Sequence, residues 1–198
     1  NYNTQLTNHS KATPENITIS ASLATTQTAY STAKVLIRQA IADAIRAYAN
    51  TVSNDAVTNL NTTINTTFKD GIISEAEAKA IASNINVLNA EKADINAYYT
   101  KLYGNTYLTG TAKTNLASTK TAFNTAHANL ISSINTAIAD GKTTAAEKAD
   151  VDAKFAAYNT ALSTYKTRVG EADKAIQDRI KALAEQDATN KVDGIQIG

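Results

Sequence analysis

The sequence contains no cysteine, no methionine and no tryptophan, and it has a single proline. Without cysteine the chain can form neither disulfide bonds nor thiolate metal sites. It also lacks a run of about 18 apolar residues, so we expect no membrane-spanning helix, and we expect no secretory signal at the N-terminus. The formal net charge is +1, with the charges spread along the chain. This distribution excludes the basic patch that nucleic-acid binding requires.

Alanine, threonine and asparagine are abundant instead, and residues that interrupt helices are scarce, with seven glycines and one proline. Alanine is the best helix former, whereas threonine and asparagine are mediocre ones. A chain of 198 residues is long enough to bury a core without disulfides. Because the sequence has no initiating methionine, we expect a processed product or a segment of a longer protein. The composition therefore predicts long helices.

The first helix is predicted from Thr25 to Phe68, and it contains two apolar runs. The first run consists of Ile37, Ile41, Ile45, Tyr48 and Val52, and the second consists of Val57, Leu60, Ile64 and Phe68. The two runs are out of phase across residues 53–55. Either one helix continues with a shifted stripe, or Ser53 or Asn54 caps a new helix there; we favour the continuous helix.

Three further helices follow, each with an apolar seam at heptad-like spacing. We expect the second from Ser74 to about Tyr103, the third from Thr109 or Thr111 to about Ala139, and the fourth from Thr144 onwards. The seams of the last two are Leu116, Lys120, Phe123, His127, Leu130, Ile134 and Ile138, and then Val151, Phe155, Tyr158, Leu162, Tyr165 and Val169.

The two ends of the chain lack this helical periodicity. Residues 1–24 are predicted to be irregular, although Thr13, Pro14 and Glu15 would equally suit a helix start. The helical region is predicted over residues 25–188. Residues 189–198 are predicted to form an extended lead into a following module.

A shift of 70 residues aligns one half of the helical region with the other. It places Leu60 on Leu130, Ile64 on Ile134 and the phrase "DGIISEAE" on "DGKTTAAE". The unit is a helix, an Asp-Gly turn and a helix, over about residues 40–104 and again over about 110–174. One such pair of helices cannot bury both of its seams, whereas two pairs can. We therefore predict an all-α fold, an elongated antiparallel helical bundle built from two tandem repeats of about 70 residues.

The repeated phrase resembles the second half of a calcium-binding EF-hand loop. That loop requires acidic or amide side chains at positions 1, 3 and 5, a glycine at position 6 and a glutamate at position 12. With Asp70 at position 5, position 3 is Phe68, and in the second copy it is Ile138. Position 1 is a threonine in both copies, so we expect no metal site here.

Helix capping accounts for every residue of the phrase. Ser74 with Glu77, and Thr144 with Glu147, match the capping box that opens a helix. Gly71 and Gly141 can end the preceding helices in the left-handed conformation, and Asp70 and Asp140 can accept turn hydrogen bonds. We predict that these eight residues mark the points where the chain turns back: Asp70, Gly71, Ser74, Glu77, Asp140, Gly141, Thr144 and Glu147.

The remaining polar and aromatic residues favour structural roles. His127 on the third seam is expected to be partly buried and structural, because the other histidine, His9, lies in the irregular start and no cysteine accompanies either. Lys92 on the second seam either sets the helix register or extends to the edge of the bundle, which we favour. No arrangement of catalytic or cofactor-binding residues is evident. Three tyrosines near the 104–110 turn could contact a sugar or a protein, although packing under the turn is the commoner role: Tyr98, Tyr103 and Tyr107.

The lines "DGIISEAEAKAI" and "DGKTTAAEKADV", set between helices rich in alanine, threonine and asparagine, carry a family resemblance. They resemble helical segments of phage and prophage tail-tip, minor structural and host-specificity proteins. The terminal "VDGIQIG" is similar to the lead that often precedes a carbohydrate-binding or β-rich module. The resemblance covers about residues 45–198.

The resemblance implies a non-enzymatic spacer in a multi-domain, often oligomeric, tail protein near the site of host recognition. The expected partners are other domains of the same protein, neighbouring tail proteins, a host cell-surface component and further copies of the chain as a homo-oligomer. The expected location is the virion tail, outside the cell, with the gene carried by an integrated prophage. An adhesin-like module that binds host glycan or protein through the tyrosine-rich turn is the alternative.

Overall fold

The computed structural model describes residues 14–196, and in that part of the chain the fold is all-α. Four helices follow one another: α1 (Pro14–Thr67), α2 (Glu75–Tyr103), α3 (Gly110–Ile138) and α4 (Ala145–Gln196). The prediction of an all-α helical bundle is confirmed. No helix among residues 14–196 is both long and apolar enough to cross a membrane.

The helices begin earlier and end later than the sequence pattern predicted at the two ends of the chain. Residues 14–24, predicted to be irregular, belong to α1, and residues 189–196, predicted to be extended, belong to α4. Pro14 is the first residue of α1, which matches the alternative helix start. Proline suits that position because the first helical N–H has no partner within the helix. Residues 1–13 and 197–198 lie outside the described part of the chain.

The first helix is continuous across residues 53–55, as favoured from the sequence. Its second apolar run, Val57 to Phe68, is buried throughout. Ile37 and Ile41 of its first run do not belong to the core, because they are 62% and 57% exposed, while Val35 is buried. The side chains of the other three residues of that run lie outside the described set.

The chain divides into two compact units. The four-helix unit comprises residues 44–173, and the terminal unit combines residues up to Asp43 with residues from Lys174 onwards. The first part of α1 and the last part of α4 therefore form the terminal unit, in which Val35 and Ile176 are buried.

Neighbouring helices of the four-helix unit run antiparallel. Lys148 bonds to Asn65 near one end of α4 and α1, and Lys166 bonds to Asn54 further along. The pair α2 and α3 follows the same rule, since the Lys113 ammonium lies over the Tyr103 ring near the turn that joins them. This arrangement buries one stripe of each helix against the other helices.

The core of the four-helix unit follows the repeat. Residues paired by the 70-residue shift occupy equivalent buried positions, because equal spacing from equivalent turns places them on equivalent faces. The buried pairs are Leu60 and Leu130, Ile64 and Ile134, Ile81 and Val151, Ile85 and Phe155, and Leu88 and Tyr158.

Candidate functional site

The two Asp-Gly turns lie side by side, which the sequence pattern did not predict. The Ile73 N–H donates to the Gly141 carbonyl at 2.8 Å, and the Thr143 N–H donates to the Gly71 carbonyl at 3.1 Å. Ile72 and Lys142 form an antiparallel β-bridge. We call residues 68–74 and 138–144 the turn pair. Its two backbone bonds join the repeats directly.

Each turn also satisfies its own backbone, in the same way in both copies. The Asp70 carboxylate accepts a hydrogen bond from the Ile72 N–H, and the Asp140 carboxylate accepts one from the Lys142 N–H, each at 3.0 Å. The aspartates therefore close the turns as predicted. The glycines that follow them, Gly71 and Gly141, both have a φ of 75°, a left-handed conformation that favours glycine.

The capping boxes are present in both copies. The Glu77 N–H donates to the Ser74 hydroxyl at 3.3 Å, while the Ser74 N–H donates back to the Glu77 carboxylate at 2.9 Å. The corresponding distances for Thr144 and Glu147 are 3.2 and 2.8 Å. Each box satisfies backbone donors that have no partner inside the helix.

The turn pair is built as a joint between helices. The glutamate oxygens that an EF-hand would direct at calcium accept capping hydrogen bonds instead. Phe68, at the third loop position, is buried and apolar. Among residues 14–196, no three His, Cys, Asp or Glu side chains are grouped so as to hold a metal ion.

The three tyrosines near the turn between α2 and α3 have different environments. Tyr98 is half-buried, and its hydroxyl donates to Asp173 at 2.9 Å, which fits the packing role and not the surface contact considered for it. Burial, the Asp173 charge and this hydrogen bond raise the pKa of Tyr98. Tyr103 and Tyr107 are 38% and 41% exposed. Of the three tyrosines, these two are exposed.

Local contacts hold Tyr103 and the 104–109 turn in place. Tyr103 stacks on Tyr99 with the ring centroids 5.3 Å apart. The Tyr107 N–H donates to the Asn105 side chain at 2.9 Å, and Leu108 is fully buried. Thr109 occupies the position before α3 but makes no side-chain capping bond, and Gly104 ends α2 in a right-handed conformation rather than the left-handed one.

Polar side chains also lie inside the four-helix unit. His127 and Lys120, both predicted on the third seam, are buried. The Lys120 ammonium donates to the Asn124 side chain at 2.7 Å and lies 5.4 Å from the centre of the Phe123 ring. Burial and the nearby Lys92 charge lower the pKa of Lys120. Lys92 itself is half-buried, in keeping with the favoured position at the edge of the bundle.

His127 is held among aromatic rings. Its ring centroid lies 6.3 Å from that of Phe123 and 6.0 Å from that of Tyr158. Burial, followed by the Lys92 charge, lowers the pKa of His127 to about 4, against the opposing effect of a hydrogen bond to the Leu88 backbone. The imidazole is therefore neutral at pH 7. Among the described residues, its Nε2 atom has no hydrogen-bond partner, which suits a packed structural histidine.

A second buried group joins three helices. Asp173 on α4 accepts the Tyr98 hydrogen bond from α2 and lies 3.5 Å from the Arg46 guanidinium of α1. Burial raises the pKa of Asp173, although Tyr98 and Arg46 oppose this effect. The sequence pattern did not single out Asp173 or Arg46. Their spacing in the sequence resembles that of charged residues on solvent-exposed helix faces. Only the contact between them in the folded chain distinguishes them from such residues.

The grooves between helices are shallow. One groove, of about 650 Å³, lies between α2 and α3 and is open to solvent. Its lining comes mostly from small and amide side chains of α3, including Ser132 and Asn135. It brings together no set of groups suited to acid–base or nucleophilic chemistry.

Comparison with known proteins found no similar one: no protein-family model matches the chain, and no curated protein or solved structure is similar to it.

Proposed function

We propose that this chain is a non-enzymatic structural module, a helical spacer that holds neighbouring domains of a phage tail-tip or receptor-binding protein. The observation that carries the structural part of the proposal is the turn pair. Its two backbone bonds link the repeats, and the capping and turn bonds within each copy use the polar groups of the repeated phrase. Such a joint supports a defined geometry between helices and leaves no carboxylate pair directed at a substrate.

The interior of the four-helix unit also supports a structural role. Its buried positions are filled by large side chains such as Phe123, Tyr158 and Leu162. Ring pairs within 6 Å, such as Phe123 with Tyr165 at 5.7 Å, fix the packing of α3 on α4. A core packed in this way resists bending, which suits a spacer.

The setting in a phage tail is supported by the resemblance of the repeated phrase and its surroundings. It can be tested on particles released from the bacterium that encodes the chain, after prophage induction. We expect mass spectrometry to find the chain in purified particles, and immunogold labelling to place it at the tail tip. Absence of the chain from purified particles, with its presence in another cell fraction, would contradict this setting.

A second role, adhesin-like binding, is favoured by one specific observation. Tyr103 and Tyr107 present exposed rings on the same turn, and the Lys113 ammonium lies 4.5 Å above the Tyr103 ring. An exposed aromatic ring suits the apolar face of a sugar, and Tyr107 is the better candidate, because the Tyr103 ring already stacks on Tyr99 and lies under Lys113. Glycan-array and host-cell binding by the chain would support it, if binding is lost in the Tyr103→Ala, Tyr107→Ala double variant. The exposed Val87 of α2 provides a matched control, as Val87→Ala should retain binding.

A further inference from the structure

The first part of α1 leaves a stripe of large apolar side chains uncovered. Val35 is buried in the terminal unit. On the other side of the helix, Leu23, Tyr30 and Ile37 recur every seven residues and are 44%, 68% and 62% exposed. At about 100° per residue, the stripe residues lie roughly 120° to 160° around the helix from Val35. Large side chains exposed in a continuous stripe mark an interaction surface.

The seven-residue spacing defines the shape of the partner. A stripe that repeats every seven residues packs against another helix in a coiled coil. We assign the stripe residues to the a positions, because the residues three places further on then complete the seam. The matching d positions are Thr26, Ala33 and Ala40, which are small and exposed. Small residues at d allow the two helices to approach closely. The stripe therefore suits a helix and not a flat or irregular surface.

The residues that flank the stripe favour a second copy of this same helix, oriented in parallel. In a parallel pair, each g position contacts the e position of the following heptad in the partner. This pairing sets Leu36 against Ile41, both large, apolar and exposed. It also sets Ala29 against Lys34, so no like charges meet.

An antiparallel pair leaves these flanking residues mismatched. It brings e positions against e positions and g positions against g positions, so that Leu36 and Ile41 of opposite copies no longer meet. Only the parallel pair covers Leu36 and Ile41 with one another.

We propose that the exposed stripe of α1, formed by Leu23, Tyr30 and Ile37 with Leu36 and Ile41 at its edges, joins two copies of this chain as a parallel helix pair. This surface lies wholly in the terminal unit, and the inference does not depend on the role proposed above. It assigns a partner, a face and a register to the helix.

The mass of the full chain in solution tests the two-copy assembly. Sedimentation equilibrium or light scattering should give a concentration-dependent mass that approaches twice the 21.0 kDa of one chain. The Tyr30→Glu, Ile37→Glu double variant should weaken the association at least tenfold. Its circular dichroism should remain helical, which separates loss of assembly from loss of folding. The control Val87→Glu, also at an exposed apolar position but on α2, should associate like the unmodified chain.

Cysteine cross-linking tests the register and remains decisive if the charged variant fails to fold. The chain has no cysteine of its own, so single substitutions give unambiguous products. In a parallel pair, identical a positions of two copies meet, and both Leu23→Cys and Ile37→Cys should form a covalent dimer on oxidation. Thr25→Cys, on an exposed face of the same helix away from the stripe, should not.

Three results would overturn the proposal. The first is a single-chain mass at every concentration. The second is a dimer that persists in the folded double-glutamate variant. The third is cross-linking at only one of the two a positions, which indicates an antiparallel pair or contact with another segment of the chain.

Discussion

At the scale of single residues, the turn pair depends on glycine for two separate reasons. Gly71 and Gly141 share a φ of 75°, which costs other residues about 1 to 2 kcal/mol. Gly71 has a second constraint, because a Cβ there would lie 3.2 Å from the Thr143 carbonyl oxygen. The corresponding distance at Gly141, to the Ile73 carbonyl oxygen, is 3.7 Å, an ordinary contact. Position 71 therefore tolerates a side chain less well than position 141.

We expect Gly71→Ala to lower the free energy of unfolding by more than the same change at either other left-handed glycine. Gly110→Ala is the matched control, since its φ is 61° and a Cβ there would meet nothing within 4 Å. Its cost should be the backbone strain alone, about 1 to 2 kcal/mol. Urea unfolding of Gly71→Ala, Gly141→Ala and Gly110→Ala measures the three values. Equal losses at Gly71 and Gly110 would show that the Thr143 carbonyl does not constrain the turn.

His127 should make the stability of the chain depend on pH in a defined window. Its pKa is about 4 in the folded chain and 6.5 when unperturbed. Between these values the unfolded chain binds a proton that the folded chain does not, so stability falls as pH decreases from about 6.5 towards 4. At pH 4.5 the loss should be on the order of 2 to 3 kcal/mol. Above pH 7 this effect should vanish.

The His127→Gln variant isolates this effect from other titrating groups. The substitution should destabilise the chain at pH 7, because it disturbs the packing against Phe123 and Tyr158. The gap between the variant and the unmodified chain should then shrink as pH falls to 4.5. A gap of constant size across urea unfolding at pH 7.5, 6 and 4.5 would contradict a neutral buried imidazole.

Local residue patterns predicted the candidate site well where a few neighbouring residues determine the geometry. A glycine after an aspartate, and a hydroxyl three residues before a glutamate, carry turn and capping chemistry in the sequence itself. The pairing of Ile73 with Gly141 could not be predicted in this way, because it joins residues far apart in sequence. The environment of Tyr98 was missed for the same reason, since Asp173 lies on another helix.

At the scale of helices, the two capping boxes should contribute similar amounts to the free energy of unfolding. Ser74→Ala and Thr144→Ala each remove the hydroxyl that accepts the N3 backbone N–H. We expect each to cost about 1 kcal/mol. Thr109→Ala is a control at a third helix start, where the side chain makes no capping bond, and it should cost less. Thermal unfolding of the three variants would contradict the account if all three lost the same stability.

Gly170 has a specific reason to interrupt the alanine-rich sequence of α4. A Cβ at this position would lie 3.0 Å from the Arg46 guanidinium, which approaches from α1. The helix nevertheless continues through Gly170, so the local weakening expected from glycine does not break it. Gly170 thus lies where the end of a neighbouring side chain approaches closely.

A double-mutant comparison separates helix propensity from this close approach. Glycine is about 1 kcal/mol less favourable than alanine inside a helix. In an Arg46→Ala background, Gly170→Ala should recover most of that amount. In the unmodified chain it should recover less, since the Arg46 side chain must move. Equal gains in both backgrounds, measured by urea unfolding, would mean that Arg46 adjusts without cost.

Helix boundaries near the turns were predicted to within a few residues, whereas the buried face of the first helix was predicted only in part. Val57 to Phe68 repeats on the face that the other helices cover, and this face is buried. Ile37 and Ile41 belong to a run with equally regular spacing, but both are exposed. Spacing identifies an apolar stripe, but it does not tell whether the same chain covers it. The ends of α1 and α4 were missed because residues 14–24 and 189–196 lack an apolar period.

At the scale of the whole molecule, the duplication accounts for the four-helix unit. Two copies of one helical hairpin bury equivalent residues and meet through equivalent turns. Neither hairpin could cover both of its seams alone. The 70-residue shift predicted this combination from the sequence, because repeated turns and repeated seams specify the same contacts twice.

The central claim is that the two repeats fold against one another with their turns paired, and a disulfide between the turns tests it most directly. Ile72 and Lys142 are exposed and face one another across the antiparallel bridge, a separation that a disulfide can span. In the Ile72→Cys, Lys142→Cys variant of this cysteine-free chain, mild oxidation should join the two cysteines within one molecule, as seen in peptide mass mapping. Two free thiols, or links only between molecules, would contradict the pairing of the repeats.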